Sequence, residues 1–419
     1  MTDLHNKIEA LKSVPAPSEK RISIQITTSS QRHIRGGHPW LFEKSITKQG
    51  REGAPGDLAV IYDRNNKFLA VGLYDPLSLI RVRILQQRKS AEINRSWFHA
   101  RIKECVDFRK PLEDSGNTDG YRIAHGENDG LPGLIIDRYA GTAVVKIYTP
   151  AWIPHLTDVI SALLEIIPLE RIVLRMNRIT KSEKKFLYGL SDGQVIFGPP
   201  LEGPVIFREN GILFEADPVN GQKTGFFLDQ RENRERVEKL ANGKSVLNVF
   251  SYTGGFSLYA SRGGAKSVTS VDISKPAIEA GKRNFELNKG DERIANTPQE
   301  YVAEDAFKAM ERMRQEKRIF DMVIIDPPAL AKKEEEVAGA LAAYARLVKL
   351  GLSILRRGGL LVTASCSSRV KTSDFYSTVF RTADYSERQL QEIERSQHPL
   401  DHPIGFPEGA YLKCLISKA

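Results

Sequence analysis

The stretch VLNVFSYTGGFSLYA (residues 246–260) decides the fold of the C-terminal half of this chain. Its apolar start predicts a buried strand, SYTGG predicts a tight turn, and the residues from Phe256 predict a helix. This layout points backbone N–H groups and a helix N-terminus at a ligand. A second predicted strand, SVTSVDIS, carries Asp272 roughly 20 residues beyond the turn, where a carboxylate can accept both hydroxyls of a ribose.

The turn does not match the loop of a dinucleotide site. Such a loop needs G-x-G-x-x-G, because the middle glycine lets a pyrophosphate approach the backbone. Phe250 and Tyr252 stand where glycines would be expected, and only Gly254 and Gly255 remain. A crowded loop of this kind favours a nucleoside without a diphosphate, such as S-adenosylmethionine. The alternative is a strand-to-helix turn that binds no ligand, in which the glycines only permit the backbone to turn tightly.

The region 205–419 alternates strand-like and helix-like segments, which predicts a mostly parallel sheet with helices on both faces. Ligands of such folds bind beyond the carboxyl ends of the strands. Polar or glycine residues follow five predicted strands, at 251–255, Asp272, Asp305, Asp326 and Cys366. Asp305 also stands at a predicted helix start, so it can cap that helix, face an adenine amine, or do both.

The segments FDMVIIDPPAL and GLLVTASCSSRV place an acid and a thiol at the ends of two successive strands. The prolines after Asp326 stop its strand and hold the backbone extended. An acid and a thiol at neighbouring strand ends suit methylation of a cytosine base at C5. This carbon is too weak a nucleophile to take a methyl group until a thiolate adds at C6. Cys366 is the candidate nucleophile, with Arg369 near it in sequence, and Asp326 is the candidate acid at N3. The alternative for Cys366 is a small buried apolar residue.

Composition limits the class of protein. The net charge of +9 permits a polyanionic partner such as nucleic acid. The three cysteines are far apart, without a C-x-x-C pair, which argues against a disulfide scaffold or zinc knuckle and favours a reducing cytosol. No metal site is expected. The N-terminus lacks an apolar signal sequence, and no apolar run is long enough for a membrane span, so we expect a cytoplasmic protein without a membrane partner.

Residues 21–90 predict a small β module made of alternating strands and a hairpin. Arg32 and Arg35 lie beside aromatic residues at a Gly-Gly pair, a combination that suits RNA. Solvated arginines are the alternative. We expect Trp40 and Phe42 in the core, because a strand there should bury one face. Residues 91–204 predict a small α+β domain without a recognisable nucleophile–base pair, for which packing or substrate orientation is the expected role.

Taken together, several segments carry a family resemblance: RHIRGGHPWLFEKSI, HGENDGLPGLIIDRY, TGFFLDQRENR, VLNVFSYTGGFSL, SVDIS, DPPAL, SCS and HPIGFPEGAYLKC. The chain resembles the bacterial large-subunit (23S) ribosomal RNA cytosine-C5 methyltransferases over nearly its full length. The resemblance implies an N-terminal β-barrel PUA module, a small α+β middle domain and a C-terminal class I methyltransferase domain with a Rossmann-like, mostly parallel sheet. It implies S-adenosylmethionine as cofactor and ribosomal RNA as partner.

The resemblance also implies roles for individual residues. Cys366 matches the family's nucleophile and Asp326 its acid. Asp272 would bind the ribose hydroxyls and Asp305 would face the adenine. The remaining cofactor residues would be Asn248, Phe250, Tyr252 and Gly254 around the methionine part, with Gln230 and Arg231 bordering the cofactor or supporting its loop. One departure concerns substrate choice, since Ala329-Leu330 follows the prolines where family members often have Lys-Phe.

Other functions remain open on the sequence alone. The same scaffold could methylate another ribosomal RNA position, such as a guanine nitrogen, which needs no thiolate. A non-catalytic RNA-binding assembly factor could also retain this fold, because fold does not fix function. The sequence leaves open which nucleotide is modified, whether free RNA or an assembling subunit is the substrate, and whether the protein is a homodimer.

Overall fold

The structure, a computed structural model, describes residues 8–419, and these divide into two compact units. None of the helices within residues 8–419 is long and apolar enough to cross a membrane. The three-domain division expected from the sequence stays a prediction. The first unit holds the described chain up to Gly211 with Ala216–Leu228 and Leu400–Phe406, and the second holds Ile212–Glu215, Asp229–Pro399 and Pro407–Ala419.

The first unit begins with a six-stranded sheet. Its strands are β1 (Ile22–Ile26), β2 (Trp40–Phe42), β3 (Ile46–Gln49), β4 (Leu58–Tyr62), β5 (Phe68–Tyr74) and β6 (Ile80–Gln87). They are ordered β2-β6-β5-β4-β1-β3, and the β1–β4 pair is parallel while the other pairs are antiparallel. Ile22, Ile24 and Ile26 face the core of this sheet, as the alternation of the sequence predicted.

Helix α1 (Thr28–Arg35) follows β1 and was not predicted. Thr27 caps it by accepting a hydrogen bond from the backbone N–H of Ser30, which satisfies one of the free donors at a helix start. Ile34 packs into the core of the sheet. Arg32 and Arg35 therefore lie on a helix, ahead of the Gly-Gly pair that was expected to present them.

The core position expected for Phe42 is wrong. Leu41 is 1% exposed and faces the core, whereas Phe42 is 43% exposed. Successive side chains of a strand point to opposite faces, so burying Leu41 turns both neighbouring rings away from the core. Trp40 is half-buried, and its indole Nε1 donates a hydrogen bond of 2.9 Å to Oε1 of Glu127.

A second sheet of the first unit has five strands in the order β11-β10-β9-β8-β7. The strands are β7 (Gly120–His125), β8 (Leu134–Tyr139), β9 (Thr142–Ile147), β10 (Arg171–Met176) and β11 (Gln194–Phe197), and the helices of this region are α2 (Arg95–Asp114), α3 (Leu156–Ile166) and α4 (Arg178–Ser182). Arg122 donates two hydrogen bonds, of 2.7 and 2.9 Å, to the carboxylate of Asp137, and both side chains are buried. A charged pair without solvent needs such bidentate geometry to offset its lost hydration.

The predicted hairpin after residue 204 is present. It consists of β12 (Val205–Glu209) and β13 (Ile212–Ala216). Asn210 and Gly211 form its turn with φ of 47° and 82°. Both values lie in the left-handed region, which two-residue hairpin turns require and which asparagine and glycine tolerate best.

The second unit contains a seven-stranded sheet flanked by helices. Its strands are β14 (Ser245–Val249), β15 (Ser267–Asp272), β16 (Gln299–Ala303), β17 (Phe320–Ile325), β18 (Leu355–Ser365), β19 (Gln391–Ser396) and β20 (Lys413–Lys418). Its helices are α5 (Arg231–Leu240), α6 (Gly255–Arg262), α7 (Lys275–Leu287), α8 (Glu292–Asn296), α9 (Ala306–Gln315), α10 (Val337–Ser353) and α11 (Thr372–Tyr385).

The strand order of this sheet is β16-β15-β14-β17-β18-β20-β19. The first five strands are parallel and the last two pair antiparallel. The chain moves outward from β14 through β15 and β16, then returns to β17 and continues in the other direction. Ligands of parallel α/β sheets bind at such a reversal, beyond the carboxyl ends of the strands.

The central strands are apolar on both faces, as expected for a sheet covered by helices on both sides. Leu247, Val249 and Val323 pack into one core cluster, whereas Val246 and Met322 pack into another. The alternation follows the two-residue period of a strand. These strands are therefore fixed from both faces, which gives the loops at their carboxyl ends a rigid base.

Candidate active site

The loop after β14 takes a backbone conformation that glycine normally favours. Phe250, Tyr252 and Gly254 all have positive φ, of 63°, 47° and 79°. Residues other than glycine adopt this region at a cost of about 1–3 kcal/mol each, and such residues cluster at ligand-binding sites. The loop thus bends as a glycine-rich loop would, although two of its positions carry aromatic side chains. It leads into the N-terminus of α6.

Asp272, at the end of β15, holds this loop. Its Oδ2 accepts a hydrogen bond of 2.8 Å from the backbone N–H of Tyr252, and its Oδ1 accepts one of 2.8 Å from that of Ser274. A carboxylate has about four lone-pair positions, so both oxygens retain acceptor capacity for ribose hydroxyls. The structure therefore brings Asp272 and the aromatic loop together, as the sequence predicted.

Three polar atoms of the β14 region fit the methionine part of a nucleoside cofactor. The Oδ1 of Asn248 and the hydroxyls of Ser251 and Thr253 are buried and have no hydrogen-bond partner among the described residues. Buried polar atoms without partners are uncommon in native proteins. The amide oxygen can accept from an ammonium group, and the hydroxyls can donate to a carboxylate. A bound amino-acid moiety would satisfy all three.

Asp305 caps helix α9, with Oδ1 accepting a hydrogen bond of 3.1 Å from the backbone N–H of Lys308. Asp305 therefore caps the helix, which is one of the two roles that the sequence predicted for it. Asp305 follows β16, and the neighbouring Glu304 donates its N–H to the carbonyl of Asp272. The acid therefore lies one strand away from the ribose-binding candidate, and an adenine role remains compatible with the cap.

Asp326 follows β17 and is oriented by a chain of amides. The Nε2 of Gln230 donates to its Oδ2 at 3.0 Å, and the Nδ2 of Asn233 donates to Oε1 of Gln230 at 2.6 Å. The hydroxyl of Ser396 in turn donates to Asn233. Sequence reasoning assigned Gln230 to the cofactor and missed Asn233 and Ser396, because no motif marks residues that act through an intermediate side chain.

Arg231 follows Gln230 at the start of α5 and is 2% exposed. Its burial fits a side chain that packs inside the second unit, and the supporting role for the cofactor loop stays a prediction. Its assignment to the cofactor stays a prediction.

Cys366 lies immediately after β18, on the strand next to β17. It is half-buried, and its Sγ lies 3.8 Å from the carbonyl oxygen of Pro327, the residue that follows Asp326. Cys105 and Cys414 are buried, and burial raises the pKa of each thiol to about 12. Of the three cysteines, Cys366 therefore combines access with a position beside the acid.

Ser367 and Tyr344 fix the loop that carries the thiol. The hydroxyl of Ser367 accepts a hydrogen bond of 2.9 Å from the backbone N–H of Leu330, which joins the loops after β17 and β18. The hydroxyl of Tyr344, on α10, donates to the Oγ of Ser365 at 2.8 Å, and its pKa is raised chiefly by burial. Neither residue was singled out in the sequence, where only the SCS pattern around Cys366 hints at them.

Lys413 lies in the closing HPIGFPEGAYLKC segment, and no sequence motif indicates a role for it. It begins β20, is 2% exposed, and its Nζ donates a hydrogen bond of 2.7 Å to the carbonyl oxygen of Ser367. Burial lowers the pKa of this ammonium to about 8, and the electrostatic interaction with Cys366 opposes that shift. The site thus contains a buried cation that sequence spacing could not reveal.

The two arginines predicted to bind RNA lie in the first unit, on α1. Arg32 is exposed, and Arg35 is 59% exposed while its guanidinium forms a 3.1 Å ion pair with Asp63. The pKa of Asp63 is lowered, chiefly by the backbone N–H of Lys67.

The described residues contain no group of three or more His, Cys, Asp or Glu side chains suited to a metal ion.

Comparison with known proteins identifies the family. Residues 187–418 match the family model of the S-adenosylmethionine-dependent methyltransferases, and residues 24–87 match that of the PUA-like domains. The chain belongs to the S-adenosylmethionine-dependent methyltransferases. A Deinococcus radiodurans relative named "Ribosomal RNA large subunit methyltransferase" is 45% identical over 408 residues, which span 96% of this chain and 99% of the relative. A Pseudoalteromonas translucida relative named "Ribosomal RNA large subunit methyltransferase I" is 35% identical over 94% of this chain and 99% of its own.

Solved structures agree with the fold. A methyltransferase from Streptococcus mutans covers 95% of this chain at 23% identity, with a TM-score of 0.78. A methyltransferase structure in complex with S-adenosylhomocysteine has a TM-score of 0.79 at 23% identity and the same coverage. The predicted fold class, with its N-terminal PUA module and Rossmann-like methyltransferase sheet, is confirmed. So is S-adenosylmethionine as the cofactor of this methyltransferase.

Proposed function

We propose that this methyltransferase places a methyl group on C5 of a cytosine in large-subunit ribosomal RNA, through a covalent adduct with Cys366. The observation that carries the proposal is the position of the half-buried thiol, 3.8 Å from the carbonyl of Pro327 beside Asp326. The names of the curated relatives support ribosomal RNA of the large subunit as the substrate. The cytoplasmic location expected from the sequence belongs to this proposal, and a homodimer stays open.

The reaction begins at the pyrimidine ring. The Cys366 thiolate forms a bond to C6 of the cytosine, and the electrons of the C5–C6 double bond move into the ring as Asp326 delivers a proton to N3. C5 thereby becomes nucleophilic. Bound S-adenosylmethionine supplies the electrophilic methyl group that C5 takes. Loss of the C5 proton to a base, return of the N3 proton to Asp326 and expulsion of the sulfur restore the aromatic ring, the acid and the thiolate.

The other predicted residues have supporting roles in this proposal. Asp272 accepts the ribose hydroxyls, and Asp305 faces the adenine while capping α9. The loop residues Asn248, Phe250, Tyr252 and Gly254 surround the methionine part. Gln230 orients Asp326 through its 3.0 Å hydrogen bond. In this proposal Arg231 borders the cofactor or supports its loop. Arg32 and Arg35, exposed on α1, contact RNA phosphates.

Replacement of Cys366 by alanine tests the covalent mechanism. We expect Cys366→Ala to abolish transfer of labelled methyl groups to ribosomal RNA, while the affinity for S-adenosylhomocysteine measured by calorimetry stays unchanged. Cys105→Ala is the matched control, because its thiol is buried in the first unit, and this variant should methylate normally.

Near-normal methylation by Cys366→Ala would exclude the covalent route and favour a nitrogen target, which carries its own lone pair. RNA containing 5-fluorocytidine gives an independent measurement. Its C5 fluorine cannot leave as a proton does, so a protein–RNA adduct should accumulate with the wild type and be absent with Cys366→Ala. Mass mapping of ribosomal RNA from cells that lack the protein would identify the nucleotide. Loss of no modification at all would favour a non-catalytic assembly factor.

A further inference from the structure

Lys413 brings a buried ammonium group to the strand end that carries Cys366. In the antiparallel pair of β18 and β20, Lys413 lies opposite Ser365. Opposed residues of an antiparallel pair project to the same face. The side chain extends past the end of β18, and its Nζ reaches the carbonyl of Ser367 at 2.7 Å. The sulfur of Cys366 belongs to the residue between these two contact points.

The described residues offer the ammonium group fewer hydrogen-bond acceptors than it has donors. Among the described residues, the carbonyl of Ser367 is its hydrogen-bond acceptor, although an ammonium carries three N–H donors. Lys413 is only 2% exposed, so water cannot replace the missing acceptors freely. A buried cation without compensation is costly, and an anion nearby removes much of that cost. The adjacent group that can become an anion by losing a proton is Cys366.

Four other titratable groups of the described residues lie near the thiol in sequence or on adjacent elements, and each is acidic, neutral or exposed to solvent. Asp326, at the end of β17, is an acid and opposes a second negative charge. Tyr344, on α10, interacts electrostatically with both Cys366 and Asp326, and burial with these interactions raises its pKa, so the phenol stays neutral. Cys414 follows Lys413 and its own pKa is raised to about 12 by burial. Arg369, which sequence proximity favoured, is exposed.

We propose that Lys413 is a positioning residue whose ammonium group holds Cys366 as a thiolate and keeps that thiolate aligned beside Asp326. The proposal rests on the proposed function in taking Cys366 as the nucleophile. The proton lost by the sulfur passes to water, and Lys413 keeps its own proton, so no bond to Lys413 forms or breaks. The carbonyl of Ser367 fixes the nitrogen, so the positive charge is preorganised before RNA binds.

The ionisation of Cys366 can be measured directly in the full-length protein. The rate of carbamidomethylation by iodoacetamide is followed against pH by peptide mass spectrometry, and Cys366→Ala identifies the signal. We expect the wild-type midpoint to lie below that of an ordinary cysteine, about 8.5. Lys413→Met, which keeps the length of the side chain, should raise the midpoint by about one unit or more, the effect of removing an opposite charge at this range. Lys413→Arg should retain most of the wild-type value.

Arg369→Gln is the matched control, since it removes the exposed cation near Cys366 in sequence and should leave the midpoint unchanged. An unchanged midpoint in Lys413→Met, or a wild-type midpoint at or above the ordinary value, would overturn the proposal. The wild-type measurement keeps the test valid if Lys413→Met does not fold, which thermal melting of each variant reports.

Methyl transfer separates this proposal from the proposed function. If Lys413 acts through the thiolate, kcat of Lys413→Met should fall about tenfold at neutral pH and recover as pH rises through the new midpoint. A purely structural defect would not recover with pH. If Cys366→Ala still methylates RNA, the covalent mechanism fails, while the alkylation midpoints still report whether Lys413 stabilises the thiolate.

Discussion

Gln230 has a predicted role beside the cofactor and an observed contact with the candidate acid, Asp326. Its segment, TGFFLDQRENR, suggested a residue that borders the cofactor. The structure shows that Nε2 donates to Oδ2 of Asp326 at 3.0 Å and that Asn233 donates to the other end of the amide at 2.6 Å, while the predicted place beside the cofactor stays a prediction. Gln230→Met removes both hydrogen bonds while keeping the volume and length of the side chain. The variant therefore asks which of the two groups Gln230 serves.

The expected magnitude follows from the hydrogen bond to the carboxylate. Hydrogen bonds to charged groups contribute about 1.5–3 kcal/mol. If that interaction orients Asp326 for proton delivery, kcat should fall by about 10- to 100-fold, since each 1.4 kcal/mol corresponds to one factor of ten. The affinity for S-adenosylhomocysteine should remain within about twofold of the wild-type value, because Asp326 and the ribose-binding candidate Asp272 end different strands.

The assay combines steady-state methylation of ribosomal RNA at saturating substrate, which gives kcat, with calorimetric titration of S-adenosylhomocysteine. Gln389→Met is the matched control, because Gln389 is an exposed glutamine of the same unit, and it should change neither quantity. A variant with unchanged kcat and tenfold weaker cofactor binding would refute the orienting role and restore the motif-based assignment. Loss of both quantities with a lowered melting temperature would mean that Gln230 mainly stabilises the loop.

Two further predictions concern the cofactor loop and the first unit. Asp272→Ala should weaken S-adenosylhomocysteine binding about 100-fold or more by calorimetry, since it removes the proposed ribose acceptor and the acceptor of the Tyr252 N–H. Asp321→Ala, at the amino end of β17, is the control and should leave the affinity unchanged. Equal affinities of the two variants would exclude Asp272 from the cofactor site. Arg122→Met should lower the unfolding free energy of the first unit by about 3–5 kcal/mol in urea titration, because it leaves the buried Asp137 without its bidentate partner. Arg35→Met should cost less than about 1 kcal/mol, because Arg35 is 59% exposed and the buried Asp63 keeps the backbone N–H groups of Asn65 and Lys67 as donors. Equal losses would contradict this dependence on burial.

The strand-tip residues were predictable because parallel α/β sheets put every carboxyl end at the same edge. Apolar runs before Asp272, Asp326 and Cys366 were enough to fix their place relative to the strands. The structure adds that Phe250 and Tyr252 adopt positive φ, so the loop keeps a glycine-like shape that their side chains would not suggest. Local sequence thus predicted where the loop lies but not how it bends.

The failures have local causes. Phe42 was assigned to the core because a strand there should bury one face, yet Leu41 takes the inward position, and a shift by one residue reverses the faces of a strand. Helix α1 was missed because it is short and polar, and its stability depends on the Thr27 cap and on packing of Ile34. Neither contribution appears as a helical period in the sequence.

Residues that act through neighbours could not be predicted at all. Tyr344, Ser396 and Lys413 reach the site from α10, β19 and β20, far along the chain from the motifs they support. Their positions depend on strand order and register, above all on the antiparallel pairing of β18 with β20. A single sequence contains no signal for that register.

Ala329 and Leu330 stand where members of the resembling family often have Lys-Phe, and the structure shows how the loop that carries them is held. The loop after Asp326 is held by its own backbone, since the N–H groups of Leu330 and Ala331 point at the hydroxyl of Ser367, at 2.9 and 3.4 Å. The Leu330 side chain packs against the core of the second unit. Alignment of Asp326 with Cys366 therefore depends on a backbone link between two neighbouring strand ends, and neither a lysine nor a stacking ring at these positions is needed to maintain it. We therefore expect substitutions of Ala329 and Leu330 to change the affinity for ribosomal RNA, measured by filter binding, more than the rate of methyl transfer.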